Sequence, residues 1–148
     1  MTEDPRAIMR ATQELFLRSA LLLAQQFDND FTRALIWLAI DCASTGFVMD
    51  DPQLGPDLAR RGEGVPDVLR RPISRLAVAQ SLGIPYETCR RHITRLLDDG
   101  WCVEVDGRGV MVPAARMAGP AMNAVRDANA ANVRRFLKRL SCAEGHAA

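Results

Sequence analysis

A glycine-centred break between two short helical patterns, followed at once by a change of hydrophobic period, is the feature that most constrains how this chain can fold. It occupies residues 76–113, "LAVAQSLGIPYETCRRHITRLLDDGW" running on into "CVEVDGRGVMVP". Ser74 is placed to cap a helix over about Arg75–Leu82, and Gly83 ends it. Pro85 opens the next helix, where its fixed φ and missing N–H are tolerated, and that helix continues to Asp99 with Gly100 in the left-handed terminating position. From Trp101 the period falls to two. Trp101, Val103 and Val105 alternate with Cys102 and Glu104, the chain turns at Asp106 and Gly107, and Val110 and Val112 return it to a stop at Pro113. The spacing therefore predicts helix, tight turn, helix and a two-stranded hairpin with Arg108 at its tip.

The flanking chain reads as helix. Pro5 to about Gln26 carries Ile8, Leu15 and Leu22 at seven-residue spacing, widened by Phe16, Leu23 and Phe27. After a capping Asn29 or Asp30, a second helix is expected over Phe31–Thr45, with Leu35, Leu38, Ala39 and Cys42 on one face and Gly46 as its stop. Residues 46–72 hold four glycines and three prolines before Pro72, so they read as a long connection with one helical turn near Asp57–Arg61. Pro72 and Ile73 form a short extended piece. Beyond Pro120 a last helix is expected to about Leu140, carrying Met122, Val125, Val133, Phe136, Leu137 and Leu140. No internal repeat is present.

The 148 residues, 48% of them hydrophobic, suffice for one compact domain with appended helices. Cys42, Cys89, Cys102 and Cys142 form no CxxC pair, so neither a zinc knuckle nor a disulfide framework is expected, and reduced thiols in a cytoplasm fit best. No basic leader with an apolar stretch and cleavage site opens the sequence, and the run "ALLLA" is far too short to span a bilayer. Of the basic residues only Lys138 is lysine, a usage that resembles a GC-rich bacterial genome. The net charge of +1 conceals an asymmetry. Residues 1–69 hold 6 basic and 11 acidic side chains, residues 70–116 hold 8 and 5, and residues 117–148 hold 5 and 2. Positive charge thus gathers on the helix-turn-helix stretch and the tail, where a polyanion would be met.

Residues 31–113 resemble a winged helix-turn-helix domain, and the quoted motif is similar to that of bacterial transcriptional regulators of the MarR, IclR and GntR types. Ala79 is small where two helices would cross, Gly83 supplies a positive φ, and Leu76, Leu82, Ile84, Cys89, Ile93 and Leu96 read as inner faces. The outward face of the second motif helix follows by elimination as Tyr86, Glu87, Arg90, Arg91, Thr94 and Arg95. The fold class implied is mainly α (α+β), with residues 1–30 and 114–148 as added helical segments, the latter ending in a disordered tail.

By the same resemblance, the helix over about 85–99 enters the major groove of double-stranded DNA and the wing, 101–113, lies on the adjacent groove or backbone. Arginine can make two hydrogen bonds to a guanine edge, so Arg90 and Arg91 are the base-reading candidates, with Tyr86, Glu87 and Thr94 beside them. Arg95 and Arg108 suit phosphate or minor-groove contacts, and Arg70, Arg71 and Arg75 could add phosphate contacts. Residues 5–27 and 120–140 are the expected dimerisation elements, which makes a second copy of the chain a partner alongside DNA and leaves room for a small-molecule effector. No membrane role is expected. The competing reading is a winged-helix module that binds a protein and not DNA. Cys89 and His92 stand at i and i+3, but no further ligand pair accompanies them, so packing is expected and no metal. With His92 and His146 as the only histidines, and no nucleophile–base pair or phosphate-binding glycine loop, neither catalysis nor a cofactor is expected.

Overall fold

The computed structural model describes residues 4–144, which form a mainly helical chain with one small antiparallel sheet. In chain order the elements are α1 (Pro5–Ala24), α2 (Phe31–Met49), α3 (Leu54–Arg61), α4 (Arg75–Leu82), α5 (Tyr86–Asp98), β1 (Val103–Val105), β2 (Gly109–Met111), α6 (Ala114–Met117) and α7 (Pro120–Glu144). Short 3-10 turns cover Gln25–Phe27 and Asp67–Leu69. The tail expected beyond the last helix falls, from residue 145, outside the described residues.

Two compact units emerge. One is Thr32–Gly119, and the other brings together the chain on either side of it, α1 with α7.

In the first unit Ile36, Trp37, Ile40 and Val48 of α2 are buried together with Val78, Ala79, Cys89, Ile93, Leu96, Cys102, Val110 and Val112. Each large apolar side chain so enclosed contributes about 1.5–3 kcal/mol. Helix α2 departs from expectation twice. It runs through Gly46 to Met49, so that glycine does not stop it. Its inner face is Ala34, Ile36, Trp37, Ile40, Ser44 and Val48, whereas Leu35, Leu38 and Cys42 are exposed. The helix is apolar nearly all round, so its spacing alone cannot select the buried side; Trp37 does. Its indole Nε1 donates to the Trp101 carbonyl at 3.3 Å, and the two rings meet edge to face at 5.9 Å and 81°. By length and composition α2 is apolar enough to cross a membrane, and about a third of it is buried within the fold.

Arg70 departs from expectation as well. Only 7% exposed, it is not a surface cation. Nε donates to the Val65 carbonyl, and Nη1 to Asp41 Oδ1 and the Val112 carbonyl, each at 2.9 Å. It thereby ties the 46–72 connection to α2 and to the end of the hairpin. That connection is also more ordered than expected, with two turns of helix in α3, whose start is held by Asp51 accepting from the amides of Gln53 and Leu54.

The α4–α5 corner follows the expected capping. Ser74 Oγ accepts from Ala77 N at 3.1 Å, and Gly83 ends α4 at φ +65. Leu76, expected inside, is 53% exposed, and Val78 and Ala79 fill that side of α4 instead. The hairpin pairs Val103 with Met111, Glu104 with Val110 and Val105 with Gly109. Ile73 bridges Val110 from the other side, adding a third extended strand segment. A Cβ on Gly109 would lie 2.2 Å from the Ile73 carbonyl oxygen, so only glycine permits this approach.

In the second unit α1 and α7 are antiparallel, because Ser19 meets Asn129 (2.6 Å) while Glu14, earlier in α1, pairs with Arg139, later in α7. Leu15 and Phe136 line the same small cavity with Ala11 and Asn132, so they pack within one chain. The apolar side chains left exposed are Met9, Phe16, Leu17 and Leu21 on α1 and Val133 and Leu137 on α7.

Candidate nucleic-acid interface

Helix α5 is strongly two-faced. Cys89, Ile93 and Leu96 are fully buried, and the six residues assigned outward by elimination, Tyr86, Glu87, Arg90, Arg91, Thr94 and Arg95, are all exposed. Helical spacing makes Glu87, Arg91, Thr94 and Asp98 (i, i+4, i+7, i+11) the central ridge, with Arg90 on one side and Arg95 on the other. Asp98 was not among the expected site residues; it is exposed and puts a negative charge at the C-terminal end of the ridge. Arg90, Arg91, His92, Thr94 and Arg95 line an open concavity of about 300 Å³.

Three of the outward residues are engaged with their own helix. Glu87 Oε2 and Oε1 accept from Arg90 Nε at 2.9 Å and Nη2 at 2.7 Å. That bond, first of all, holds the Glu87 carboxyl below its ordinary range and raises the Arg90 guanidinium. Thr94 Oγ1 donates to the Arg90 carbonyl at 3.0 Å, so its oxygen remains as an acceptor and its methyl as an apolar contact. Arg75 is half-buried and pairs with Glu104 of β1 at 2.9 Å, a bridge between α4 and the hairpin. Arg71 lies over the Phe47 ring at 3.7 Å. Arg70, expected as a further phosphate contact, is in the core.

Anchors of α5 that the sequence did not disclose sit at its C-terminus. Arg116 Nε donates to the Gly100 carbonyl at 2.5 Å and Nη2 to that of Asp99 at 3.0 Å, while its guanidinium lies 5.0 Å from the centre of the Trp101 ring. A cation there satisfies carbonyls with no helical partner and complements the helix dipole. Arg33 of α2 reaches Asp99 Oδ2 at 3.4 Å.

At the hairpin tip Arg108 is exposed, and its amide closes the turn by donating to the Val105 carbonyl at 3.0 Å. Among the described residues Arg91, Arg95 and Arg108 form no hydrogen-bonded ion pair, although the charge of Arg91 also favours the Glu87 carboxylate one turn before it. Burial pushes the Cys89 thiol up and, aided by Asp41, raises Cys102 to about 12, so neither is a thiolate at neutral pH. Among the described residues no cluster of three His, Cys, Asp or Glu could hold a metal.

No protein-family model, curated protein or solved structure matches this chain.

Proposed function

We propose that Thr32–Gly119 is a winged helix-turn-helix domain that binds double-stranded DNA, and that the chain is a sequence-specific transcriptional regulator of bacterial type acting in the cytoplasm as a homodimer. The observation that carries the reading is the set of exposed arginines not tied up in an ion pair, Arg108 on the hairpin tip and Arg91 and Arg95 on α5, a helix whose opposite face is buried. An α-helix fits the major groove, where Arg91 on the ridge and Arg90 beside it reach base edges. Arg95 and Arg108 suit phosphates. Asp98 disfavours phosphate at the far end of the ridge, which places the base-reading part in its first three turns.

The dimer contact falls on α1 and α7. Because Leu15 and Phe136 pack within one chain, the surface left for a second copy is Met9, Phe16, Leu17 and Leu21 with Val133 and Leu137. Dimerisation would set two recognition helices about 34 Å apart on one face of the duplex.

One observation favours the competing protein-binding module. Phe31, Leu35, Leu38, Cys42 and Met49 leave an exposed, mostly apolar stripe along α2. Titration of duplex DNA at several salt concentrations separates the two. The regulator requires affinity that falls steeply and linearly in log–log form. Absence of binding at about 50 mM salt, a condition that strengthens any phosphate contact, would leave the protein-binding module.

A further inference from the structure

Arg90 is the one arginine on the outward face of α5 with a carboxylate partner, and the geometry of that pair bears on what it can read. Glu87 takes the side edge of the guanidinium, Nε at 2.9 Å and Nη2 at 2.7 Å. A guanidinium has five N–H groups. The side-on grip uses Nε–H and one hydrogen of Nη2, so both hydrogens of Nη1 and the second of Nη2 remain. Those remaining donors form the end-on fork that meets O6 and N7 of guanine. Arg90 can therefore keep Glu87 and bind a guanine edge at the same time.

The pair is exposed, at 45% and 64% for the two side chains, where an ion pair adds little to stability. Its effects are on orientation and charge. Held at two points, the guanidinium plane is fixed beside the ridge and not free to swing to the backbone. With its charge countered by a carboxylate, it gains less from phosphate than Arg91 or Arg95, whereas a neutral base edge loses little attraction by the same change.

We infer that Glu87 is the positioning residue that makes Arg90 a reader of one guanine in the major groove and withholds it from phosphate. The inference rests on the DNA-binding reading and deepens it, because it names the base and the residue that enforces the choice. Arg95 and Arg108 supply attraction to any duplex. The Glu87–Arg90 unit supplies discrimination.

The experiment is binding-site selection from random duplexes with the full-length parent, followed by titrations of the selected site and of its single-base variants. Parent, Glu87→Gln, Arg90→Ala and the double variant are compared at several salt concentrations. Equal thermal melts establish that the folds match, and Glu87→Asp offers a shorter carboxylate as partial rescue. The parent should select a fixed guanine, whose replacement weakens binding about 10- to 100-fold. In Glu87→Gln that penalty should shrink to a few-fold, with tighter binding to unrelated duplex and a log–log salt slope steeper by about one unit. In the Arg90→Ala background the glutamine should change neither quantity. A Glu87→Gln protein that keeps the full guanine penalty and the parent's slope overturns the inference while leaving DNA binding intact, and so does one that alters preference at a base Arg90→Ala does not affect. A parent that binds no duplex overturns the functional reading and this inference together.

Discussion

Replacing Arg70 by methionine keeps most of the side chain's volume and removes the charge that holds three parts of the Thr32–Gly119 unit together. The guanidinium side chain is 3% exposed and that of its partner Asp41 16% exposed. Its loss strands the Asp41 carboxylate and leaves the Val65 and Val112 carbonyls without the donors they have at 2.9 Å. Removing one partner of a buried ion pair costs about 3–5 kcal/mol. Water can still reach one edge of Asp41, which argues for the lower end, about 3 kcal/mol. Against a typical total of about 5–15 kcal/mol, this is a large fraction. Trp37 and Trp101 are the only tryptophans and both lie in this unit, so their fluorescence during urea unfolding reports it directly. Arg70→Met should lower the unfolding free energy by about 3 kcal/mol. The double variant Arg70→Met, Asp41→Leu should recover at least about 1 kcal/mol of that, because no uncompensated charge remains. At a temperature where both are folded, the salt slope of DNA binding should equal the parent's. A single-variant loss below about 1 kcal/mol, or a double variant as unstable as the two singles combined, would refute the account of Arg70 as an anchor whose buried charge Asp41 balances.

Four further outcomes are expected. Arg91→Ala should cost about 1–3 kcal/mol of specific binding and relax one base position, while Arg95→Ala and Arg108→Ala should each weaken binding to all sequences alike and lower the salt slope by about one unit; gel-shift titrations that leave any of these unchanged remove that arginine from the interface. Leu17→Glu, at an exposed position, should give monomer mass by light scattering with an intact helical CD spectrum, whereas Leu15→Glu, inside the α1–α7 pair, should unfold that pair; the reverse order would move the dimer contact back to the Leu15 side. Asp51 and Glu87 are both held below the usual carboxylate range, Asp51 by the Leu54 and Gln53 amides and Glu87 by Arg90. A depressed carboxyl stabilises the fold above its unfolded value and loses that contribution as the pH falls through the folded one, so the melting temperature should drop below about pH 4, and less steeply in Asp51→Asn. Finally, a thiol reagent at pH 8 should label Cys142 and Cys42 in the folded protein and reach Cys89 and Cys102 only on unfolding, since the latter two are buried; prompt labelling of all four would contradict the packing around α5 and the hairpin.

The elements whose ends are set by local chemistry were readable from the chain. Ser74 caps through its side-chain oxygen and Gly83 and Gly100 terminate through their backbone geometry, and all three do so where expected, with Gly83 at φ +65 and Gly100 at φ +70. What could not be read was which side of an all-round apolar helix is buried. In α2, Leu35 and Leu38 are as apolar as Ile36 and Ile40, and the choice comes from Trp37 meeting Trp101, a residue 64 positions away. In α1 the stripe holding Leu15 does face inward, but toward α7 of the same chain, because Glu14 and Ser19 find Arg139 and Asn129 there. The helix in 46–72 was read as one turn near Asp57–Arg61 and not as two, because glycines and prolines sit at its ends and in its first turn.

The candidate site was readable as a set of positions and not as a set of free charges. Eight arginines lie between residues 70 and 116, and composition treats them alike. The fold sorts them. Arg70 is buried against Asp41, Arg116 caps the end of α5, Arg71 rests on Phe47, Arg75 joins α4 to β1, and Arg90 is gripped by Glu87. Only Arg91, Arg95 and Arg108 remain without a comparable partner among the described residues, which leaves Arg95 and Arg108 for a phosphate backbone and Arg91 for a base edge. The sorting depends on register as much as on composition. Shifting the acidic residue from position 87 to 88 would preserve length, net charge and the basic character of the segment. It would also turn the carboxylate off the ridge toward His92 and Arg91, one turn away in the i+4 and i+3 positions. Arg90 would then be freed and Arg91 countered in its place, so the number of free cations on α5 would be unchanged while the arginine held for base reading would change.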